Sequence, residues 1–290
     1  MRSASFEYFA PRTIDEVLSL LEKYGEEAKI LAGGQSLVPM MKLRLIKPRY
    51  IIDIYKNLKK DLSYVVEEGD RLRIGALTTH YEILTSELIR TKCPILAKAA
   101  EYIGDWQVRN RGTIGGSLCH ADPAAHYLPV IVALNAELLV KGPNKERVIK
   151  ATEFFKDIMT TALASNEILI EIRVPKINGY AWGYEAIHRR SGDFALCIST
   201  VLLRLKDRYC ESAKIVIGAA TPVPIEMKNA EKILEGKTID EKIIEEASMK
   251  VYEELPKPFS DIKATADYRR EMAKVLTRRA LIHALRGGEK

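Results

Sequence analysis

The chain has 290 residues, 47% hydrophobic and 29% charged; it is long enough to bury a sizeable core and too long for one average domain, so two compact units are expected. The net charge of +6 comes from 45 basic residues interspersed among 39 acidic ones, with no stripe or arginine-rich arm, which argues against a nucleic-acid partner. The longest apolar runs, 127–134 and 195–203, fall short of the roughly 20 residues that cross a bilayer, and the first residues lack the apolar core of a secretion signal; no membrane span is expected, and the expected location is cytoplasmic.

Along the chain, Thr13-Ile14-Asp15-Glu16 has the form of a capping box, and Ile14, Val17, Leu18 and Leu21 recur at helical spacing up to Gly25. Residues 29–32 form a short apolar run stopped by Gly33-Gly34, a strand entering a tight turn. Residues 36–45 read as partly helical and 50–54 as a strand, and 62–66 with 71–74 fit a hairpin around Glu68-Gly69-Asp70. Helical patterns cover 79–84 and 94–103, the second stopped by Gly104. The stretch 107–112 is too polar for core. It leads into a second double-glycine turn, Thr113-Ile114-Gly115-Gly116-Ser117, followed by a helix at 123–134 and strands at 138–140 and 168–174. A boundary is expected near 176–179. Beyond it, 181–189, 195–205 and 213–219 read as three antiparallel strands, because their connections are too short for parallel crossovers. Helical spacing at 230–234, 240–254 and 268–285 makes the C-terminal unit a small sheet covered by helices.

The two glycine turns carry the chemistry. Glycine has no Cβ, so paired glycines let backbone N–H groups approach an anion, while Ser36, Thr113 and Ser117 add hydroxyls. A pyrophosphate suits such a cleft. Either turn alone reads equally as an ordinary turn; the presence of two, each ending in serine, favours the ligand. Neither matches GxGxxG or GxxxxGK, which argues against nicotinamide and nucleoside-triphosphate folds. Cys93, Cys119, Cys197 and Cys210 are widely separated and form no CxxC pair, so no metal site is expected.

The chain resembles the medium, flavin-binding subunits of the xanthine dehydrogenase and aerobic carbon monoxide dehydrogenase group. The resemblance rests on Phe6-Glu7-Tyr8, on the run from Ala32 to Met40-Met41-Lys42-Leu43-Arg44-Leu45, and on Ile74-Gly75-Ala76-Leu77-Thr78-Thr79. It continues through 107–117 and Arg189-Arg190-Ser191-Gly192-Asp193-Phe194-Ala195. It implies an α+β fold: residues 1–176 as an FAD-binding domain of the vanillyl-alcohol-oxidase type, with two subdomains divided near residue 57. Residues 177–290 then form a small C-terminal domain of antiparallel sheet and helices.

By position, the resemblance places FAD, held non-covalently, against Leu31, Ala32, Gly33, Gly34, Gln35, Ser36 and Leu37 and against Thr113, Ile114, Gly115, Gly116 and Ser117. It adds Asp122, Leu169 and Phe194, the last beside the isoalloxazine. Each of these three also has a plainer reading, Asp122 as a helix N-cap before Pro123 and Leu169 and Phe194 as core. His126 stands where many relatives carry an acidic residue, and on its own residues reads as a partly exposed helix position. The family implies partners: a large molybdopterin subunit and a small [2Fe–2S] subunit, whose electrons reach FAD and leave to an external acceptor. No catalytic residue is expected in this chain. The holoenzyme is expected to be an oxidoreductase, with an aldehyde such as glyceraldehyde as first candidate substrate. The alternative is a self-contained FAD oxidase or dehydrogenase on the same fold, which needs a catalytic base over the flavin; neither His120 nor His188 sits in a context that argues for one.

Overall fold

The computed structural model describes residues 2–287. Strands β1 (Glu7–Phe9), β2 (Ala28–Leu31) and β3 (Tyr50–Asp53) form a parallel sheet in the order β1-β3-β2. Helix α1 (Ile14–Tyr24) packs Val17, Leu18 and Leu21 into a core shared with Ile52. Its N-terminus departs in detail from the expected capping box. Thr13 Oγ1 accepts the Glu16 N–H at 3.1 Å, but the Glu16 carboxylate accepts from Arg12, one residue further back. Helix α2 (Leu37–Lys42) follows the loop after β2, and α3 (Tyr55–Leu62) follows β3 and closes the same core with Leu58 and Leu62.

The second sheet is antiparallel, in the order β4-β5-β10-β6-β7. Its strands are β4 (Val65–Glu68), β5 (Arg71–Gly75), β6 (Glu137–Lys141), β7 (Glu146–Lys150) and β10 (Ile168–Pro175). The expected hairpin is present, with Val65 opposite Ile74 and Glu68 opposite Arg71. A smaller hairpin joins β8 (Phe155–Asp157) to β9 (Thr160–Thr161). Between β5 and β6 run six helices: α4 (His80–Thr85), α5 (Glu87–Lys92), α6 (Pro94–Glu101), α7 (Trp106–Arg111), α8 (Ile114–His120) and α9 (Tyr127–Ala133). A short α10 (Ala151–Phe154) follows β7. Helix α4 has the complete capping box, Thr79 with Glu82, that α1 lacks.

The third sheet is an antiparallel meander of β11 (Tyr180–His188), β12 (Ala195–Lys206), β13 (Tyr209–Gly218) and β14 (Ile225–Glu226). Helices α11 (Lys228–Leu234), α12 (Glu241–Glu254) and α13 (Ala266–Leu285) cover one face. The other face packs on α6 and α9. The central strand β12 is therefore buried on both faces: Ile198 and Leu202 join the core of α9, while Val201 and Leu203 join that of α12 and α13. That explains its unbroken apolar sequence. This packing fixes the β11–β12 hairpin beside α6 and α9. Among the described residues, no helix is long and apolar enough to cross a membrane.

Candidate functional site

A cavity of about 720 Å³ lies where the first sheet, the helices between β5 and β6 and the β11–β12 hairpin meet. Thirteen of the fifteen residues expected at the site line it, among them both glycine pairs, Asp122, Leu169 and Phe194. Leu31 and Ile114 do not. Leu31 ends β2 and turns its side chain under the glycine loop, within 3.3 Å of where a Gly34 Cβ would stand. Ile114 is fully buried core.

The first motif leaves β2 as an open loop. Among the described residues, the N–H groups of Gly33, Gly34, Gln35 and Ser36 meet no protein acceptor, and the Ser36 hydroxyl has no partner. Four successive donors without a protein acceptor on a cavity wall can receive an anionic group; Gly33 is the buried one of the four, and the others are partly or fully exposed. Gly34 has φ +77°, which a residue with a Cβ adopts at a penalty. Gly33 is needed for a different reason. A Cβ there would lie 1.9 Å from the Arg111 carbonyl oxygen and 2.9 Å from Gly112 Cα. The loop after β2 thus touches the end of α7, and Arg111 adds its guanidinium over the Tyr55 ring at 4.3 Å.

The second motif differs from the reading as a turn: Thr113 is the N-cap of α8, and the glycines lie in its first turn. Its N–H groups are satisfied internally. Ile114 donates to the Thr78 carbonyl at 3.0 Å, Gly115 to that of Ala76 at 2.9 Å, Gly116 to Thr113 Oγ1 at 3.1 Å and Ser117 to the Thr113 carbonyl at 3.0 Å. The two motifs are therefore unequal. The first offers backbone donors; the second offers a bare wall, the Ser117 hydroxyl and space. A Cβ on Gly116 would come within 3.7 Å of the Ala32 Cβ, so the motifs face each other across a narrow gap.

Asp122 is not a helix N-cap. Its Oδ1 accepts the Ala124 N–H at 2.9 Å in a turn that precedes α9. Leu169 faces the cavity at the point where the β10–β6 register shifts, a bulge that re-aims the strand. Phe194 is 57% exposed at the hairpin tip, not core, with Lys263 Nζ 5.0 Å over its ring. Lys263 also pairs with Asp193 at 3.0 Å, tying the tip to the segment that precedes α13.

His126 departs most from expectation. It is 5% exposed rather than a partly exposed helix residue, and it lines the cavity. Its Nδ1 is 2.6 Å from the Tyr184 hydroxyl and its Nε2 is 3.3 Å from His188 Nε2. Burial, with the nearby imidazoles of His188 and His80 adding to it, pushes its pKa down to about 3. His80, which the sequence reading passed over, is also on the wall, and burial next to the Arg109 charge lowers it to about 3. Tyr102 and Gly104 were likewise not anticipated. The polar stretch before the second motif explains their position: the Arg109 guanidinium collects the Ile103 and Gly104 carbonyls at 3.0 and 2.9 Å. Such a role leaves no spacing signature.

Comparison with known proteins matches residues 4–177 to the model of an FAD binding domain in molybdopterin dehydrogenase. Residues 182–284 match a CO dehydrogenase flavoprotein C-terminal domain. The medium chain of glyceraldehyde dehydrogenase from Sulfolobus acidocaldarius is 37% identical over 97% of this chain and 98% of its own. The chain superposes on a structure of carbon monoxide dehydrogenase from Hydrogenophaga pseudoflava that lacks the Mo-pyranopterin moiety, with a TM-score of 0.95, 36% identity and full coverage of both chains. Quinoline 2-oxidoreductase from Pseudomonas putida 86 gives 0.94 at 32% identity, with 99% of each chain covered.

Proposed function

The chain belongs to the FAD-binding family of molybdopterin dehydrogenases, as the medium, FAD subunit of a molybdenum hydroxylase, and from that premise we propose how it holds FAD and what it does with it. The FAD unit spans 1–176, divided near residue 57, and the C-terminal unit 177–290. The observation that carries the proposal is the run of acceptorless N–H groups at Gly33, Gly34, Gln35 and Ser36, facing the Gly116 and Ser117 wall. These donors and the Ser36 and Ser117 hydroxyls suit a pyrophosphate. Asp122 suits a ribityl hydroxyl, and Leu169 and Phe194 supply apolar surface for the rings.

FAD, when bound, would supply the redox chemistry that links the [2Fe–2S] clusters of a small partner subunit to an external acceptor. The substrate, an aldehyde such as glyceraldehyde as first candidate, would be oxidised in a large partner subunit that carries the molybdopterin. The residues of this chain bind, orient and exclude water. Burial drives the pKa of His80 and His126 on the wall down to about 3, so these two are weak bases at neutral pH. Desolvation raises the Cys119 thiol to about 12, so it stays protonated, in keeping with non-covalent FAD.

The test is flavin release together with co-purification. Acid precipitation of the yellow protein is expected to leave the colour in the supernatant, and isolation from its native source to bring down subunits carrying iron–sulfur and molybdenum. Colour retained in the pellet would contradict the non-covalent reading, and a flavin-free chain the cofactor reading itself.

A further inference from the structure

The scheme above leaves His126, His188 and Tyr184 without a role, although they join the second subdomain to the hairpin that borders the cavity. Tyr184 and His188 both lie on β11, nine and five residues before Asp193 at the tip that also carries Phe194. His126 lies across the boundary, at the N-cap of α9. Tyr184 is 3% exposed, and among the described residues its hydroxyl has no hydrogen-bond partner other than His126. Burial raises its pKa well above the ordinary phenol value, so it keeps its proton and donates to His126 Nδ1. His126 must then carry its proton on Nε2 and donate to His188 Nε2. One tautomer of each ring satisfies the cluster.

Other groups face the pair. The Tyr102 ring, at the end of α6, stacks on His126 (5.8 Å, 25°) and on His188 (5.6 Å, 12°), with Lys98 Nζ 5.5 Å from its centroid. His80 of α4 repels a charge on His126, Asp193 of the hairpin favours one on His188, and Glu185 and Tyr127 act on Tyr184.

We propose that His126, His188 and Tyr184 form a latch that pins the β11–β12 hairpin over the cofactor cavity and that opens when the imidazole pair takes up a proton. A proton added at His188 Nε2 sets N–H against N–H across 3.3 Å. Switching the His126 tautomer to accept it would leave the buried Tyr184 proton without an acceptor. Neither arrangement keeps both hydrogen bonds. His188 is the half-buried member and takes the proton first; desolvation lowers its pKa while Asp193 raises it, with a net downward shift. The sign follows: a histidine depressed in the folded protein stabilises it above the ordinary value of 6.5, and that contribution is lost as pH falls through the depressed value. The consequence for the flavin rests on the reading of the cavity given above.

The full chain, with its imidazole nitrogens labelled with ¹⁵N, tests the latch. At about pH 8, where unperturbed imidazole is neutral, His126 should be protonated at Nε2 and His188 at Nδ1. Lowering the pH toward about 5 should titrate His188 below its ordinary value, and the Gly192 and Phe194 amide signals should move with the same midpoint. The Kd for added FAD should rise about tenfold or more over that range. His188→Gln keeps an acceptor for His126 and removes the titration, so the amide shifts and the change in Kd should both vanish. Any other pair of tautomers at about pH 8 overturns the latch, as do hairpin shifts that persist unchanged in His188→Gln or that are absent from the parent chain. A chain that binds no FAD at all would sink the cofactor reading, while the ring and amide signals would still decide the latch.

Discussion

Substituting Gly33 by alanine separates the two jobs of the glycine loop from each other. The added Cβ would stand 1.9 Å from the Arg111 carbonyl oxygen, where non-bonded carbon and oxygen ordinarily keep roughly 3.5 Å. The loop after β2 and the end of α7 must therefore part by about 1.5 Å. Overpacking of this kind costs about 1–3 kcal/mol, and the displacement falls on two adjoining segments of the cavity wall. If that cost appears in binding, the FAD affinity drops about 5-fold to 140-fold. Gly116→Ala is the control. Its Cβ would stand 2.9 Å from Thr113 Oγ1, which must give slightly, and 3.7 Å from the Ala32 Cβ, and the gain of up to about 1 kcal/mol from replacing glycine inside a helix offsets that cost. The apo form of Gly116→Ala should therefore keep its stability in urea while losing about tenfold in FAD affinity, because the methyl narrows the gap between the motifs. Calorimetric FAD titrations and urea curves on both variants read the two effects separately. Wild-type affinity in Gly33→Ala would refute the claim that the close approach of the loops builds the cradle.

Ser36→Ala and Ser117→Ala should each weaken FAD binding by about tenfold or more, the worth of a hydrogen bond to a charged group, with no change in apo stability; calorimetry checks both, and unchanged Kd values would remove the hydroxyls from the site. Arg269 is 2% exposed and donates to the Leu196 and Ala219 carbonyls and to Asp261, so Arg269→Met should lose about 3–5 kcal/mol in urea unfolding. Glu171 is opposed by desolvation, yet hydrogen bonds from Tyr64, Arg173 and Arg73 hold it below the usual carboxylate range. Its contribution is full above the unfolded pKa of about 4.3 and disappears as pH falls through the depressed value. Glu171→Gln should therefore reduce the difference in unfolding free energy between neutral and acid pH, and a variant with the parent's pH dependence would contradict this.

Much of the fold was legible in local patterns. The α1 spacing, the β4–β5 hairpin and the three long strands of the C-terminal unit follow from periodicity and turn residues, and appear in the structure close to their expected bounds. What local sequence concealed was tertiary in origin. Strand β7, Glu-Arg-Val-Ile-Lys, is a charged edge that becomes a strand only through its partner β6. The second glycine motif looked like the first because both place two glycines before a serine. One is nevertheless an open loop and the other the first turn of a helix, and the difference rests on Ala76 and Thr78 supplying acceptors from a distant segment. The same holds for His126. Its burial depends on Tyr184 and His188, some sixty residues later in the chain, and helical position alone could not reveal them.

The most direct test of the account is anaerobic reduction of the flavin in the isolated chain. Loaded with FAD, the protein should be bleached by a chemical reductant and reoxidised by an acceptor, yet remain yellow with aldehydes, purines or carbon monoxide. Addition of the large molybdopterin and small [2Fe–2S] subunits should then let the substrate of the complex bleach it. Bleaching of the lone chain by any of these substrates would contradict the account and establish a self-contained oxidase on the same fold.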